Sequence, residues 1–270
     1  MITLLLLCGA LSGVTTVLFG FGGGFFTVPL IYALMSAQYG ADSPTGLAAM
    51  QIAVATSTCV MIFSAGLSTL HHHRAGSLDW RSVQPLVVGI VPGAALGAAC
   101  AIGLNGDLVR YAFIAYLLVT IADCLLRPGF LRRAPDSSQQ VSGGATAGIG
   151  VIIGLIAALL GVGGSVMTVP LMRRRGASMT GATAMANPLS LPMAVIGTLV
   201  WLGMARHLPG TGGPGFIGAI NLRAALLLAA GAWVGISLTS RFIGRLPDAA
   251  HARIYPLLLA LVTVVMVVAG

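Results

Sequence analysis

The chain has 270 residues, is 57% hydrophobic and only 7% charged, and has a mean hydropathy of +0.98. A soluble domain carries roughly 25% charged residues, so this composition excludes an ordinary soluble enzyme or binding module and indicates a polytopic membrane protein. The formal net charge of +8 comes from fourteen Arg and six Asp, with no Lys or Glu; in a membrane chain such arginines set loop orientation, and no nucleic-acid partner is expected.

Ten apolar segments are predicted: 2–19, 25–36, 45–70, 82–103 and 108–126, then 143–160, 166–172, 179–204, 220–243 and 252–269. The opening "MITLLLLCGALSG" has no basic residue before its apolar run, and the run before Cys8 is short. It is therefore read as the start of the first membrane segment and not as a lipoprotein signal. Crossing the hydrocarbon takes about 20 apolar residues, so the second segment of each group is too short to span. The third is long, which implies tilt or bending. Cys8, Cys59, Cys100 and Cys124 stand singly without metal or redox spacing. They read as small apolar filler, with Cys59 set apart by its hydroxyl neighbours.

The two groups of segments are copies. "SGVTTVLFGFGGGFFTVPLI" (Ser12–Ile31) and "IGLIAALLGVGGSVMTVPLM" (Ile153–Met172) share nine of twenty positions. "TGLAAM" at Thr45 matches "TGATAM" at Thr180, and "GSLDWR" at Gly76 matches "GAINLR" at Gly218. The repeats are assigned to 1–126 and 143–270, joined by a cytoplasmic linker at 127–142 that begins "RPGFLRRAPDSSQQ". Five segments per copy place the copies in opposite orientations, an inverted repeat. Eleven arginines fall on the side opposite the N-terminus: Arg74, Arg81, Arg127, Arg132, Arg133, Arg173, Arg174, Arg175, Arg241, Arg245 and Arg253. Three fall on the N-terminal side, Arg110, Arg206 and Arg223. That asymmetry predicts an inner-membrane protein with both termini periplasmic.

Each copy carries a glycine cluster, "GFGGGFFTVPL" from Gly20 and "GVGGSVMTVPL" from Gly161. Thr is a good N-cap and Pro suits a first helical turn, so short helices are expected to begin near Pro29 and Pro170. The glycine stretches then form breaks of re-entrant or discontinuous helices near the midplane. Irregular backbone survives there only when buried in protein or lining a cavity. A helix start offers free N–H groups and a positive dipole end, and glycine lets an oxyanion approach the backbone. The alternative is that the glycines serve close helix packing.

These motifs, the "HHHRAGSLDW" exit from the third segment and the "GAINL…RFIGRLPD" run resemble the sulfite exporter TauE/SafE family of membrane permeases over 12–130 and 143–268. The resemblance implies an integral inner-membrane permease for small sulfur-containing anions. One departure is Ser165, which stands where the first copy has Gly24. The predicted substrate site uses neutral donors: Gly22, Gly23, Gly24, Thr27, Gln51, Ser57, Gly163, Gly164, Ser165, Thr168, Asn187 and Ser190. "NPLSLP" at Asn187 places two prolines in one membrane segment, which is expected to break or kink it. His71 and Arg74 are candidates for a cytoplasmic gate, against the alternative of a solvated helix end. Asp123 is expected to pair with Arg127 on an exposed helix face.

No metal or cofactor is expected, and no nucleotide motif is present. No histidine is placed to activate Ser165, so no enzymatic activity is expected. The leading reading is a secondary permease for sulfite or an organosulfonate. The alternatives are an anion channel, or a membrane-embedded enzyme or assembly factor. Expected partners are the small anion, the bilayer and, as an option, a second copy of the chain.

Overall fold

The computed structural model describes residues 1–40, 42–131, 143–204 and 215–268. Most of the 127–142 linker, Arg132, Arg133 and Arg206 lie outside the described residues. The described chain is almost wholly helical: α1 (Ile2–Phe19), α2 (Gly24–Tyr39), α3 (Pro44–Leu47), α4 (Ala49–Arg74), α5 (Trp80–Gly103), α6 (Gly106–Leu126), α7 (Gly143–Leu160), α8 (Ser165–Arg174), α9 (Met179–Met204), α10 (Leu222–Thr239) and α11 (Asp248–Val268). A two-stranded hairpin, β1 (Phe216–Ile217) with β2 (Ile220–Asn221), precedes α10. Among the described residues, seven helices are long and apolar enough to cross a bilayer: α1, α4, α5, α6, α9, α10 and α11. The chain is an all-α polytopic membrane protein.

Helix ends follow local chemistry. Asp79 and Asn221, which match in the repeat alignment, cap α5 and α10 by accepting the Arg81 and Ala224 amides. Gly76 and Gly218, three residues before each, both have positive φ. α1 and α7 stop where Gly20, Gly22, Gly23, Gly161 and Gly163 take left-handed φ values that a side chain disfavours.

Two sequence expectations are corrected. α2 and α8 begin at Gly24 and Ser165, five residues before Pro29 and Pro170, which lie inside the helices. Thr27 and Thr168 are therefore not N-caps; the Thr168 hydroxyl donates back to the Gly164 carbonyl at 2.6 Å, and the Thr27 hydroxyl, 2.9 Å from the Gly23 carbonyl, donates across to Ser57 Oγ. Packed neighbours let membrane helices tolerate an interior proline, so proline does not mark the start. For the same reason α9 runs unbroken from Met179 to Met204 through Pro188 and Pro192.

α2 doubles back on α1: Ile31, Leu34, Met35 and Gln38 lie beside Met1 and Leu5. α8 doubles back on α7 in the same way, with Met167, Pro170 and Leu171 beside Ile149, Ile153 and Ile156. Pairing between the halves is reciprocal. α1 packs on α10 and α7 on α5; α4 and α9 pack on each other at the centre; α6 packs on α11.

The α5–α7 and α1–α10 seams are built on glycine. A Cβ on Gly89, Gly93 or Gly97 would strike the Ala147, Val151 or Leu155 carbonyl, and one on Gly150 or Gly154 would strike the Leu86 or Ile90 carbonyl. Gly9, Gly13, Gly231 and Gly235 do the same between α1 and α10. Lipid leaves no hydrophobic drive between apolar helices, so backbone proximity supplies the dispersion contact instead.

Ion pairs gather one set of helix ends. Arg173, 1% exposed, makes a bidentate pair with Asp248, with Nη2–Oδ2 at 2.5 Å. Arg174 joins Asp123 at 2.6 Å. Asp123 also pairs with Arg127 at 3.2 Å, so its carboxylate bridges two arginines and two helices. At the opposite ends Arg110 donates to the Met266 carbonyl and lies over the Tyr32 ring. Of the described arginines, nine lie at the first set of ends and two, Arg110 and Arg223, at the second.

Candidate functional site

The two glycine breaks, Gly20–Gly23 and Gly161–Gly164, enter from opposite ends of the bundle. Gly20 lies against Thr183, near the start of α9, and the Val17 carbonyl before it bonds His72 near the end of α4. Gly161 lies against Val54, near the start of α4. The loops then turn back and meet halfway along α4 and α9. A Cβ on Gly22 would lie 3.1 Å from Ser190 Oγ and 3.4 Å from Met61 Sδ. One on Gly163 would lie 2.9 Å and 3.2 Å from the same two atoms. Gly24 abuts the Gly161 carbonyl directly.

Ser57 ties the loops together. Its hydroxyl donates to the Gly161 carbonyl at 2.9 Å and accepts from Thr27 Oγ1 at 2.9 Å. Ser12 and Ser64 donate to the Gly23 and Gly22 carbonyls at 2.8 and 2.7 Å. Ser190 donates to Ala186 within α9. The loop carbonyls are thus occupied by hydroxyl protons. The Gly22, Gly23, Gly163 and Gly164 amides, by contrast, have no hydrogen-bond acceptor among the described residues. A left-handed residue followed by a right-handed one, as at Gly163 and Gly164 (φ 74 and −68), aims successive amides to one side.

This geometry sorts the candidate residues. Gly22, Gly23, Gly24, Gly163, Gly164 and Ser165 gather at the crossing, all buried. Ser165 Oγ, fully buried in the first residue of α8, has no partner. Thr27, Ser57, Thr168 and Ser190 are also there, but their protons are spent, that of Thr27 on Ser57 Oγ and the others on carbonyls. They hold the loops and do not present free donors. Asn187 sits one turn from Ser190 and clamps three helices through Nδ2, to Thr16 O at 3.2 Å, Ser68 Oγ at 2.9 Å and Thr183 O; its Oδ1 is buried without a partner. Gln51 stands apart. It bonds the Leu104 carbonyl at 2.8 Å and lines an open cavity of about 720 Å³ with Asp42 and Asp107.

Of the gate candidates, Arg74 is exposed and His71 half-buried at the end of α4. The buried histidine is His72, which bonds Val17 O and Ser77 Oγ, each at 2.9 Å. Cys59 lines a groove between α4 and α10.

Sequence reasoning missed Ser12, Ser64, Ser68 and Met61. Ser57, Met61, Ser64 and Ser68 follow one another at spacings of four, three and four, which is one face of a helix. That period was available as a signal.

Comparison with known proteins agrees with this architecture. The chain is 26% identical over 247 residues to "Probable membrane transporter protein YunE" of Bacillus subtilis, covering 86% of this chain and 85% of that protein. It is 25% identical over 264 residues to a "Probable membrane transporter protein" of Haemophilus influenzae, covering 94% and 91%. No solved structure matches. The family model described as "Sulfite exporter TauE/SafE" matches residues 5–266, the whole of the described bundle but its extreme ends, and the chain belongs to that family of membrane transporters.

Proposed function

We propose that the chain is a secondary permease that carries a small sulfur-containing oxyanion, such as sulfite or an organosulfonate, across the inner membrane, with the anion held where the two glycine loops cross. The supporting observation is the split in hydrogen bonding at the loops. Carbonyls are occupied by Ser12, Ser57, Ser64 and Thr168, while the glycine amides and Ser165 Oγ lack acceptors. Unpaired buried donors are costly, and an oxyanion is the ligand class that satisfies several at once. A neutral donor set releases an anion more readily than a fixed positive charge. Ser57, Thr168, Ser165, Asn187 and Ser190 have no solvent exposure. That occlusion fits alternating access better than an open anion channel.

The test is Ser165→Ala. Its hydroxyl makes no bond to lose, so the purified variant unfolds at or above the wild-type temperature, by up to about 1 kcal/mol of relief. Sulfite raises the wild-type unfolding temperature through mass action, and this shift is reduced in the variant, as is sulfite flux in proteoliposomes. Unchanged flux and an unchanged shift overturn the assignment of Ser165 to the anion.

A further inference from the structure

His251, in the first turn of α11, is 2% exposed; its ring faces the Leu18 carbonyl of α1, and neither ring nitrogen makes a well-formed hydrogen bond. An ionisable side chain left unpaired inside a membrane protein is expensive to keep. Its ring packs edge-on against Phe19, with centroids 4.9 Å apart, at the very end of α1. It lines a small cavity with Val17, Leu18, His72, Thr180 and Thr183, roofed by Phe242, Ile243, Gly244 and Leu246. That cavity lies directly behind Gly20, where the first glycine loop begins.

The last turn of any helix carries free carbonyls and the negative end of the dipole. In α1 the Val17 carbonyl already takes His72 Nε2 at 2.9 Å. Leu18, the next residue, lines the His251 cavity. A neutral imidazole has one donor and a protonated one has two. The charged and titratable groups facing His251 are few: Asp248 on its own helix, held by Arg173 of α8, and His72 of α4. α1 and α9 offer carbonyls, the Phe19 ring and hydroxyls, but no charge.

We propose that His251 is a proton-binding site coupled to the anion cycle, a reading that rests on the permease function above. A proton from water at the Arg-rich face binds the free ring nitrogen. The imidazolium then donates to the carbonyl end of α1 and to the Asp248 side of its pocket. This fixes the angle at which the chain leaves α1 at Gly20, and with it the position of Gly22 beside Ser190. Loss of the proton frees that end of α1. The proton state and the shape of the anion site are therefore linked.

The test uses the full chain in proteoliposomes with radiolabelled sulfite, in two modes. One is exchange at equal sulfite and equal pH; the other is net flux under an imposed pH gradient. In the wild type the gradient changes net flux by about tenfold. In His251→Gln exchange stays within about twofold of wild type and the gradient response is lost. His72→Gln, at the same helix end, keeps the response, which separates coupling from general damage there. Where His251→Gln does not reconstitute, the smaller His251→Asn is read in its place. A gradient response that survives in the His251 variant, or a wild-type flux indifferent to the gradient while exchange proceeds, overturns the proton site and leaves the permease reading standing. Absence of sulfite exchange in the wild type overturns the permease reading for sulfite, and this proposal with it.

Discussion

Ser57 shows how one hydroxyl can hold a fold together in lipid. It sits on α4, yet its proton goes to Gly161 of the second loop and its oxygen receives the proton of Thr27 behind the first. Removing it leaves the Gly161 carbonyl buried and unpaired, a loss of about 1–3 kcal/mol. Ser57→Ala should therefore lower the thermal midpoint, read from tryptophan fluorescence of the purified protein. Thr69, half-buried, only bonds back to Ala65 of its own helix at 2.7 Å, so Thr69→Ala should stay within about 0.5 kcal/mol. Equal losses at both positions would mean that Ser57 does not link the loops. The same residue scale limits glycine as a probe. A side chain at Gly23 would run into Ser64 at a φ of +94, whereas Gly164 has an ordinary φ and a Cβ there would meet Ile153 Cγ2 at 2.9 Å and Thr168 Oγ1 at 3.7 Å. A substitution at Gly23 therefore confounds folding with transport, and Gly164→Ala is the cleaner variant.

At the scale of elements, the paired seams decide which helices touch. α5 meets α7 through Gly89, Gly93 and Gly97 on one side and Gly150 and Gly154 on the other, each glycine facing a carbonyl of its partner. Gly93→Ala inserts a methyl against the Val151 backbone, which cannot rotate away, and should cost about 1–3 kcal/mol. Gly148 lies on α7 only two residues from Gly150, but nothing approaches its Cβ position within 4 Å. Gly148→Ala is expected to be neutral or to stabilise by up to about 1 kcal/mol through helix propensity. Comparing unfolding midpoints in detergent checks both. If the two variants behave alike, the glycines are not spacing the helices. The seams also explain why the hairpins α1–α2 and α7–α8 are secured: each first helix is anchored to a helix of the other half, so its loop is presented at a fixed depth.

At the scale of the molecule, arginine distribution and hairpin geometry combine. Both ends of each hairpin, α1 with α2 and α7 with α8, return to a single side of the bundle. The nine arginines at one set of ends and two at the other then imply a single orientation in the bilayer. A reporter active only in the periplasm should be active when fused after Gly270 and silent when placed at Gly244, in the turn between α10 and α11. The reverse pattern would invert the protein in the membrane. Reciprocal packing, α1 on α10 and α5 on α7, is what an inverted repeat requires of its halves.

Sequence alone determined the membrane class and most helix limits. Composition fixes the first, and the predicted segments 2–19, 143–160 and 179–204 coincide with α1, α7 and α9, because lipid forces apolar runs of spanning length into helices. It also marked the glycine breaks, since left-handed backbone needs glycine wherever it occurs. It misplaced the starts of α2 and α8, because whether an interior proline is tolerated depends on neighbours that a linear pattern does not contain. Only the tertiary structure decided the rest: that Gly22 and Gly163 meet at Ser190 and Met61, that Ser12 and Ser64 silence the loop carbonyls, and that His72 and His251 flank the end of α1. Those facts depend on contacts between different helices, such as His251 with Phe19 and Gly22 with Ser190, set by how closely glycine lets two helix backbones approach.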